Sequence, residues 1–190
     1  MICQKWRLIL DFLGAILSFS TRNSESHRTT HYCRIERKGL SVLKVRVEDG
    51  SDWYGQRDPA EKIPGADYPV ALTPGDLKKL KSVPPIVFSE ACYGGNIFGK
   101  EEAESVALTL MGMGNYALIA STVVAYGSVT TPMIGADLLG YLTMRNLKSG
   151  LAVSPAFTRA KVEFVREMNR RQGYLDGEDQ KTLISFVLFG

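Results

Sequence analysis

One stretch decides the fold of this chain: Ile86-Val87-Phe88-Ser89-Glu90-Ala91-Cys92-Tyr93-Gly94-Gly95, in which an apolar run ends in a cysteine followed closely by two glycines. The apolar residues predict a buried strand, and the glycines let the backbone turn tightly beside the thiol. Ligands of open α/β folds bind at the rim of the sheet, where such strands end. Cys92 is therefore a candidate nucleophile. The alternative is that Cys92 is a small buried hydrophobic residue, as most free cysteines are.

From Leu40 onward the sequence alternates between strand-like and helix-like segments, which predicts an α/β fold. We predict strands at residues 42–47, in the run that leads into Cys92, at 116–122 and at 183–189, with helices at 74–81, 101–113, 132–148 and 155–171. Residues 51–70 read as a long loop, and residues 176–180 as a turn or a short helical start. The near-continuous apolar run at 116–122 is typical of a parallel strand that is buried on both faces.

Two sets of residues at helical spacing predict the faces that the last two long helices bury. Both are interpreted as core, and the second set is not read as a cofactor-binding motif. The sets are Leu138, Leu139, Leu142 and Leu147, and Phe157, Lys161, Phe164 and Met168.

Composition limits the partners. The 190 residues, 45% of them hydrophobic, suffice for one α/β domain with a proper core. The net charge is +3, but its 23 basic and 20 acidic residues are interspersed, and no basic stripe is interleaved with aromatics, so nucleic acid is not an expected partner. Cys3, Cys33, Cys92 and the two histidines form no spaced cluster, so we expect no metal site and no cofactor.

The N-terminal segment, residues 1–39, is expected to lie outside the domain, which spans 40–190. Lys5 and Arg7 precede an apolar run, a pattern that faintly resembles a signal peptide. Asp11 interrupts that run, which is also too short for a membrane span. An amphipathic or buried helix is therefore favoured over an export signal. The cytoplasm is slightly favoured, and the compartment stays open.

The segment Glu90-Ala91-Cys92-Tyr93-Gly94 resembles the nucleophile motif of caspase-like cysteine peptidases, which reads Gln-Ala-Cys-x-Gly in caspases. Further segments resemble the gingipain-type branch of these peptidases in the same order: 120–127, 136–137, Gly150 with Ala160-Lys161, and 185–190. The resemblance covers about residues 49–190. It implies a caspase-like three-layer sandwich with a mostly parallel sheet flanked by helices, incomplete at both ends. It also implies hydrolysis of peptide bonds with Cys92 as the nucleophile.

The family's catalytic base is a histidine in a His-Gly pair, and the position here that matches it best is Asp49-Gly50. The chain has only His27 and His31, and neither is followed by glycine. A carboxylate is a poor base for a thiol and disfavours the thiolate. Three interpretations stay open: a degenerate member that binds peptides with impaired or no catalysis, His31 acting as a replacement base, or a truncated or misread gene in which residues 1–48 are foreign to the family.

The resemblance also implies roles around the nucleophile. The backbone N–H groups of Cys92 and Gly50 would form the oxyanion hole. Glu90 shares a strand face with Cys92, because side chains alternate along a strand, and would contact the substrate or be structural. Ser121 and Thr122, at the tip of the neighbouring strand, would contact the residue before the scissile bond or cap a loop. The expected partner is a peptide or protein substrate, and the oligomeric state stays open.

Overall fold

The computed structural model describes residues 40–43, 49–54, 70–128 and 131–190. These residues form six strands and five α-helices. The strands are β1 (Leu40–Leu43), β2 (Trp53–Tyr54), β3 (Val70–Leu72), β4 (Ile86–Ser89), β5 (Ala117–Ser121) and β6 (Phe186–Phe189). The helices are α1 (Pro74–Leu77), α2 (Val106–Gly112), α3 (Gly135–Lys148), α4 (Val153–Gln172) and α5 (Gly177–Ser185).

The main sheet has four strands in the order β1-β4-β5-β6. Strands β1, β4 and β5 run parallel, with Phe88 aligned with Val42 on one side and with Ile119 on the other. Strand β6 runs antiparallel to β5, so the sheet is mixed. The predicted α/β class is confirmed, and a separate antiparallel pair, β2-β3, lies where the sequence predicted a loop.

Side chains that alternate along the strands feed two hydrophobic cores, one on each face of the sheet. Phe88 and Ile119 pack with residues of α3 and α4 on one face. Val87 and Leu118 pack with Trp53 and with residues of α1 and α2 on the other. The sheet is thus flanked by helices on both faces, and its carboxyl-terminal rim stays available for a site.

Most of the predicted core is buried. Leu138, Leu139 and Leu142 are buried and Leu147 is partly so, and of the second set Phe157, Phe164 and Met168 are buried. Lys161 is the exception. Its Nζ donates to the Phe186 carbonyl oxygen at 2.9 Å and lies 4.7 Å from the centre of the Phe157 ring. Burial lowers the pKa of this lysine.

The helix expected at 101–113 is in fact divided. Residues Glu102–Glu104 form a 3₁₀ turn, Ser105 is extended, and α2 begins after it. The Ser105 hydroxyl accepts a hydrogen bond from the Leu108 N–H. Ser105 is therefore the N-cap of α2, which explains why this helix begins at Val106. Helix α1 begins as predicted, with Thr73 as its cap and Pro74 at its first position, but it ends at Leu77.

Other bounds also differ from those predicted. Helix α3 begins at Gly135 rather than Pro132, and α4 begins at Val153 rather than Pro155. Of the two alternatives predicted for residues 176–180, a turn or a short helical start, the structure has the helical start, since Asp176 and Asp179 form a capping box at the beginning of α5. This helix, α5, includes residues 183–185, which were predicted to begin the last strand. The segment 1–39, most of the strand predicted at 42–47 and residues 55–69 of the predicted loop lie outside the described residues.

No helix among the described residues is long and apolar enough to cross a membrane.

Candidate active site at the Cys92 turn

The polypeptide leaves β4 at Ser89 and makes a tight turn over residues 92–95. Two hydrogen bonds tie this turn to the end of β5: the Tyr93 N–H donates to the Val123 carbonyl oxygen, and the Gly95 N–H donates to the Ser121 carbonyl oxygen, both at 2.8 Å. Tyr93 has a φ of 56°, a conformation that bulky residues rarely adopt. The turn is therefore held in a strained conformation by the neighbouring strand end.

The Cys92 side chain is half-buried, and its thiol is free. Its Sγ donates to the carbonyl oxygen of Ala125 at 3.4 Å. The segment 122–126 therefore lies beside the thiol, and its residues are half-buried or exposed at this rim of the sheet.

The backbone N–H groups around Cys92 divide into two sets. The N–H groups of the four residues that follow Cys92 all donate hydrogen bonds. Within the described part of the chain, the N–H groups of Cys92 itself and of Gly50 donate to no acceptor. An N–H group left without an acceptor is costly in a folded protein unless water or a ligand satisfies it. These two are the pair that the resemblance implied for an oxyanion hole.

Gly50 lies against the same turn. It is buried, with a φ of 94°, and a Cβ added there would lie 2.5 Å from the Asn96 carbonyl oxygen and 2.9 Å from that of Tyr93. The Asn96 side-chain amide donates to the Asp49 carbonyl oxygen at 3.0 Å. The Asp49-Gly50 segment is thus fastened to the turn that carries Cys92.

The Asp49 carboxylate accepts hydrogen bonds from the N–H and the hydroxyl of Ser51, at 2.8 and 3.0 Å, and lies 3.4 Å from Lys100 Nζ. The bond from the Ser51 N–H, with those from the Ser51 hydroxyl and Lys100, lowers the pKa of Asp49 and outweighs the effect of burial. Next to it, burial and the charges of Asp49 and Asp76 raise the pKa of Asp52. Asp49 is therefore an ionised, hydrogen-bonded group and a weak proton acceptor.

Glu90 is buried and lies on the same face of the sheet as Phe88. A Cβ added to Gly140 of α3 would lie 2.8 Å from Glu90 Oε1 and 3.1 Å from the Phe88 ring. The carboxyl group is thus packed against the middle of α3, beneath the rim. This position suits the structural role that the sequence left open, more than contact with a substrate at the surface.

Ser121 and Thr122 anchor the end of α5. Ser121 is fully buried, and its hydroxyl donates to the Val123 carbonyl oxygen at 2.9 Å and lies 3.1 Å from the Ser185 hydroxyl. The Thr122 N–H and hydroxyl both donate to the Ser185 carbonyl oxygen, at 3.0 and 3.3 Å. Both side chains thus have structural partners, and Ser121 has no surface to offer a ligand in this conformation.

Three residues that shape the site were not predicted from the sequence. Asn96 and Lys100 donate hydrogen bonds to Asp49, and the Ala125 carbonyl oxygen accepts the hydrogen bond from the Cys92 thiol. No local pattern marks these long-range contacts. His27 and His31 lie outside the described residues, and within those residues no three His, Cys, Asp or Glu side chains are grouped as metal ligands would be.

An oxyanion hole polarises an acyl carbonyl through N–H groups that hold no other acceptor. Within the described residues, the N–H groups of Cys92 and Gly50 meet that condition. The arrangement lacks a histidine partner for the thiol among the described residues. Compared with family models, with curated proteins and with solved structures, the chain has no match.

Proposed function

We propose that this chain is a caspase-like cysteine peptidase domain of the gingipain type, with Cys92 in the position of the nucleophile and with impaired turnover. Its substrate is a peptide or protein that binds across the Cys92 turn. The resemblance of residues 49–190 to that family supports the proposal, as does the sheet flanked by helices on both faces.

One observation carries the proposal: the N–H groups of Cys92 and Gly50 are without acceptors in the described part of the chain, although they come from segments about forty residues apart. The packing of the Gly50 segment on the Cys92 turn supports the proposal that both donors serve one site. A bound peptide carbonyl would accept from them while Cys92 Sγ attacks its carbon, and the negative charge formed on the oxygen would be stabilised there.

Turnover is impaired because the thiol lacks a suitable base among the described residues. Attack on an amide needs a group that removes the thiol proton and later protonates the leaving amine. Asp49 occupies the position of the family's histidine, and its carboxylate is engaged by Ser51 and Lys100. The same observation favours a second candidate function: a peptide-binding pseudo-peptidase, which needs a peptide site and the N–H donors but no base.

Covalent labelling tests the proposal. The purified full chain is treated, folded and in urea, with peptidyl acyloxymethyl ketones carrying Arg, Lys, Asp or Asn at the reactive end, and adducts are located by mass spectrometry. We expect an adduct on Cys92 of the folded protein, lost in Cys92→Ala and retained in Cys33→Ala. If none of these reagents labels the folded protein faster than the urea-unfolded chain, the proposed peptidase site is refuted.

Restoring the base provides a second test. Asp49→His recreates the His-Gly pair, since Gly50 follows it. General base catalysis contributes roughly 10²–10⁴-fold to such reactions, so we expect at least about tenfold faster labelling of Cys92. Asp52→His is the matched control, because it places the same side chain three residues away. Equal rates in both variants would show that Asp49 does not occupy the position of the base.

A further inference from the structure

Helix α5 is bonded to the start of segment 122–126, which lies beside the thiol. The carbonyl oxygen of its last residue, Ser185, accepts the hydrogen bonds from Thr122, and the Ser185 hydroxyl contacts the Ser121 hydroxyl. At its other end, the Asp176 side chain caps the helix. The helix is therefore tied to the end of β5 through Ser185, and Lys181 lies about one turn before that residue.

Lys181 and Tyr126 form a pair beside the candidate site. Lys181 Nζ lies 5.0 Å from the centre of the Tyr126 ring, a cation–π distance. Tyr126 directly follows Ala125, whose carbonyl oxygen accepts the Cys92 thiol. The tyrosine is 36% exposed and the lysine is half-buried. The Lys181 ammonium group thus lies against the residue that follows the thiol's partner, Ala125.

This charge is not neutralised within the described part of the chain. None of the ion pairs there includes Lys181, whereas Lys100 pairs with Asp49. Glu178, one turn earlier on α5, is exposed and forms no ion pair with it. A half-buried ammonium group resting on an aromatic ring, without a carboxylate partner, is a ready partner for an incoming carboxylate.

We propose that Lys181, supported by the Tyr126 ring, is a specificity-determining residue that receives an acidic side chain of the bound peptide next to Cys92. The proposal rests on the proposed function in that it takes the Cys92 turn as the peptide site. Acidic peptides are then the preferred ligands of the peptide site at the Cys92 turn. Thr122 and Ser121 then serve as positioning residues, because they hold α5 and its lysine in place.

The test measures both labelling and binding. The full chain is labelled with acyloxymethyl ketones that differ only in carrying Asp, Asn or Arg at the reactive end. In parallel, fluorescein-labelled peptides Ala-Val-Asp-Ala-Ala, Ala-Val-Asn-Ala-Ala and Ala-Val-Arg-Ala-Ala are titrated with Cys92→Ala protein by fluorescence anisotropy. The variants are Lys181→Met and Lys181→Glu, with Lys78→Met as the control, since Lys78 is an exposed lysine directly after α1.

We expect the Asp peptide and the Asp ketone to be preferred over their Asn counterparts by about fivefold at low salt, since exposed to partly buried ion pairs have about this strength. The preference should vanish in Lys181→Met, reverse towards Arg in Lys181→Glu, persist in Lys78→Met and weaken in 0.5 M salt.

Each outcome is decisive. Equal binding of the Asp and Asn peptides, or a preference that survives Lys181→Met, would overturn the role of Lys181 and leave the proposed peptidase site intact. Lys181-dependent binding of the Asp peptide without any labelling of Cys92 would support the role of Lys181 and remove catalysis. Neither labelling nor binding would overturn both.

Discussion

At the scale of one residue, Gly50 allows the Asp49-Gly50 segment to pack directly on the Cys92 turn. The position requires a positive φ and leaves no room for a side chain, because two carbonyl oxygens of the Cys92 turn lie where a Cβ would be. Glycine alone meets both conditions without strain. Its presence brings a backbone N–H up against the turn, where a larger residue would push the two segments apart.

We expect Gly50→Ala to lower the free energy of unfolding by roughly 2–5 kcal/mol, from backbone strain together with the clash against the Asn96 and Tyr93 carbonyl oxygens. Gly99→Ala is the matched control, since Gly99 also has a positive φ, of 68°, but has nothing within 4 Å of an added Cβ. It should cost only about 1–2 kcal/mol. Urea unfolding of both variants measures the difference, and equal costs would contradict the close approach of Gly50 to the turn.

At this same scale the sequence could reveal Cys92 but not its surroundings. A thiol at the end of an apolar run, followed by glycines, is a local pattern. The contacts of Asp49 with Asn96 and Lys100 join residues 47 and 51 positions apart. No local pattern encodes such contacts, so the engagement of Asp49 could be seen only in the folded chain.

At the scale of elements, α3 and α4 are joined by a charged cluster around Glu163 of α4. Its carboxylate accepts from the Asn146 amide at 2.9 Å and pairs with Arg145 of α3 at 2.8 Å and with Arg159 at 3.1 Å. Burial alone would raise the pKa of Glu163, but these partners outweigh it and lower the pKa below its usual 4.5. The ionised form is thus favoured by folding.

Because the pKa of Glu163 is lower in the folded than in the unfolded state, its contribution to stability is present above pH 4.5 and is lost as the pH falls through the folded-state value. We expect Glu163→Gln to cost about 1 kcal/mol at pH 7, a figure that allows for the solvent screening of its half-exposed arginine partners. The cost should shrink steadily below pH 4.5. Urea unfolding from pH 7 to pH 3 checks this.

Arg166→Gln is the control for this prediction, since Arg166 is an exposed residue of the same helix without an ion pair among the described residues. Its effect at pH 7 should be below about 0.5 kcal/mol. A Glu163→Gln penalty that is the same at pH 7 and pH 3 would mean that the charge of Glu163 does not join the helices.

The order of most elements could be predicted, whereas several bounds could not. Apolar periodicity located the strand before Cys92 and the two long helices, because burial on the sheet imposes that period. The break at Ser105 and the helix that begins after Asp176 depend on side-chain caps, which compete with neighbouring start signals of similar strength. The antiparallel direction of β6 depends on the path of α5, which carries no local signal.

At the scale of the whole molecule, two cores on opposite faces of one sheet support the rim that carries Cys92. Phe88 lies at the centre of one core, fully buried and stacked on Phe186 with ring centres 5.5 Å apart. Both phenylalanines come from strands of the main sheet, so this stack links β4, which leads into Cys92, with the edge strand β6.

Phe88→Ala should therefore lower the free energy of unfolding by about 3–5 kcal/mol, as large-to-small changes in a core do. Phe98→Ala is the control, because the Phe98 side chain is 93% exposed. It should change stability by less than about 0.5 kcal/mol. Thermal or urea denaturation of the two variants compares them, and a Phe98→Ala cost near that of Phe88→Ala would contradict the layered arrangement.

The central claim is that the Cys92 turn combines a thiol with N–H donors that bind a carbonyl oxygen. The most direct test compares the rates at which Cys92 of the folded chain reacts with a peptidyl acyloxymethyl ketone and with iodoacetamide. Iodoacetamide requires only an accessible thiolate, whereas the ketone also uses the peptide site and the oxyanion donors. We expect the ratio of ketone to iodoacetamide rates to be at least about tenfold higher in the folded than in the urea-unfolded protein. An unchanged ratio would mean that the Cys92 turn provides no such donors.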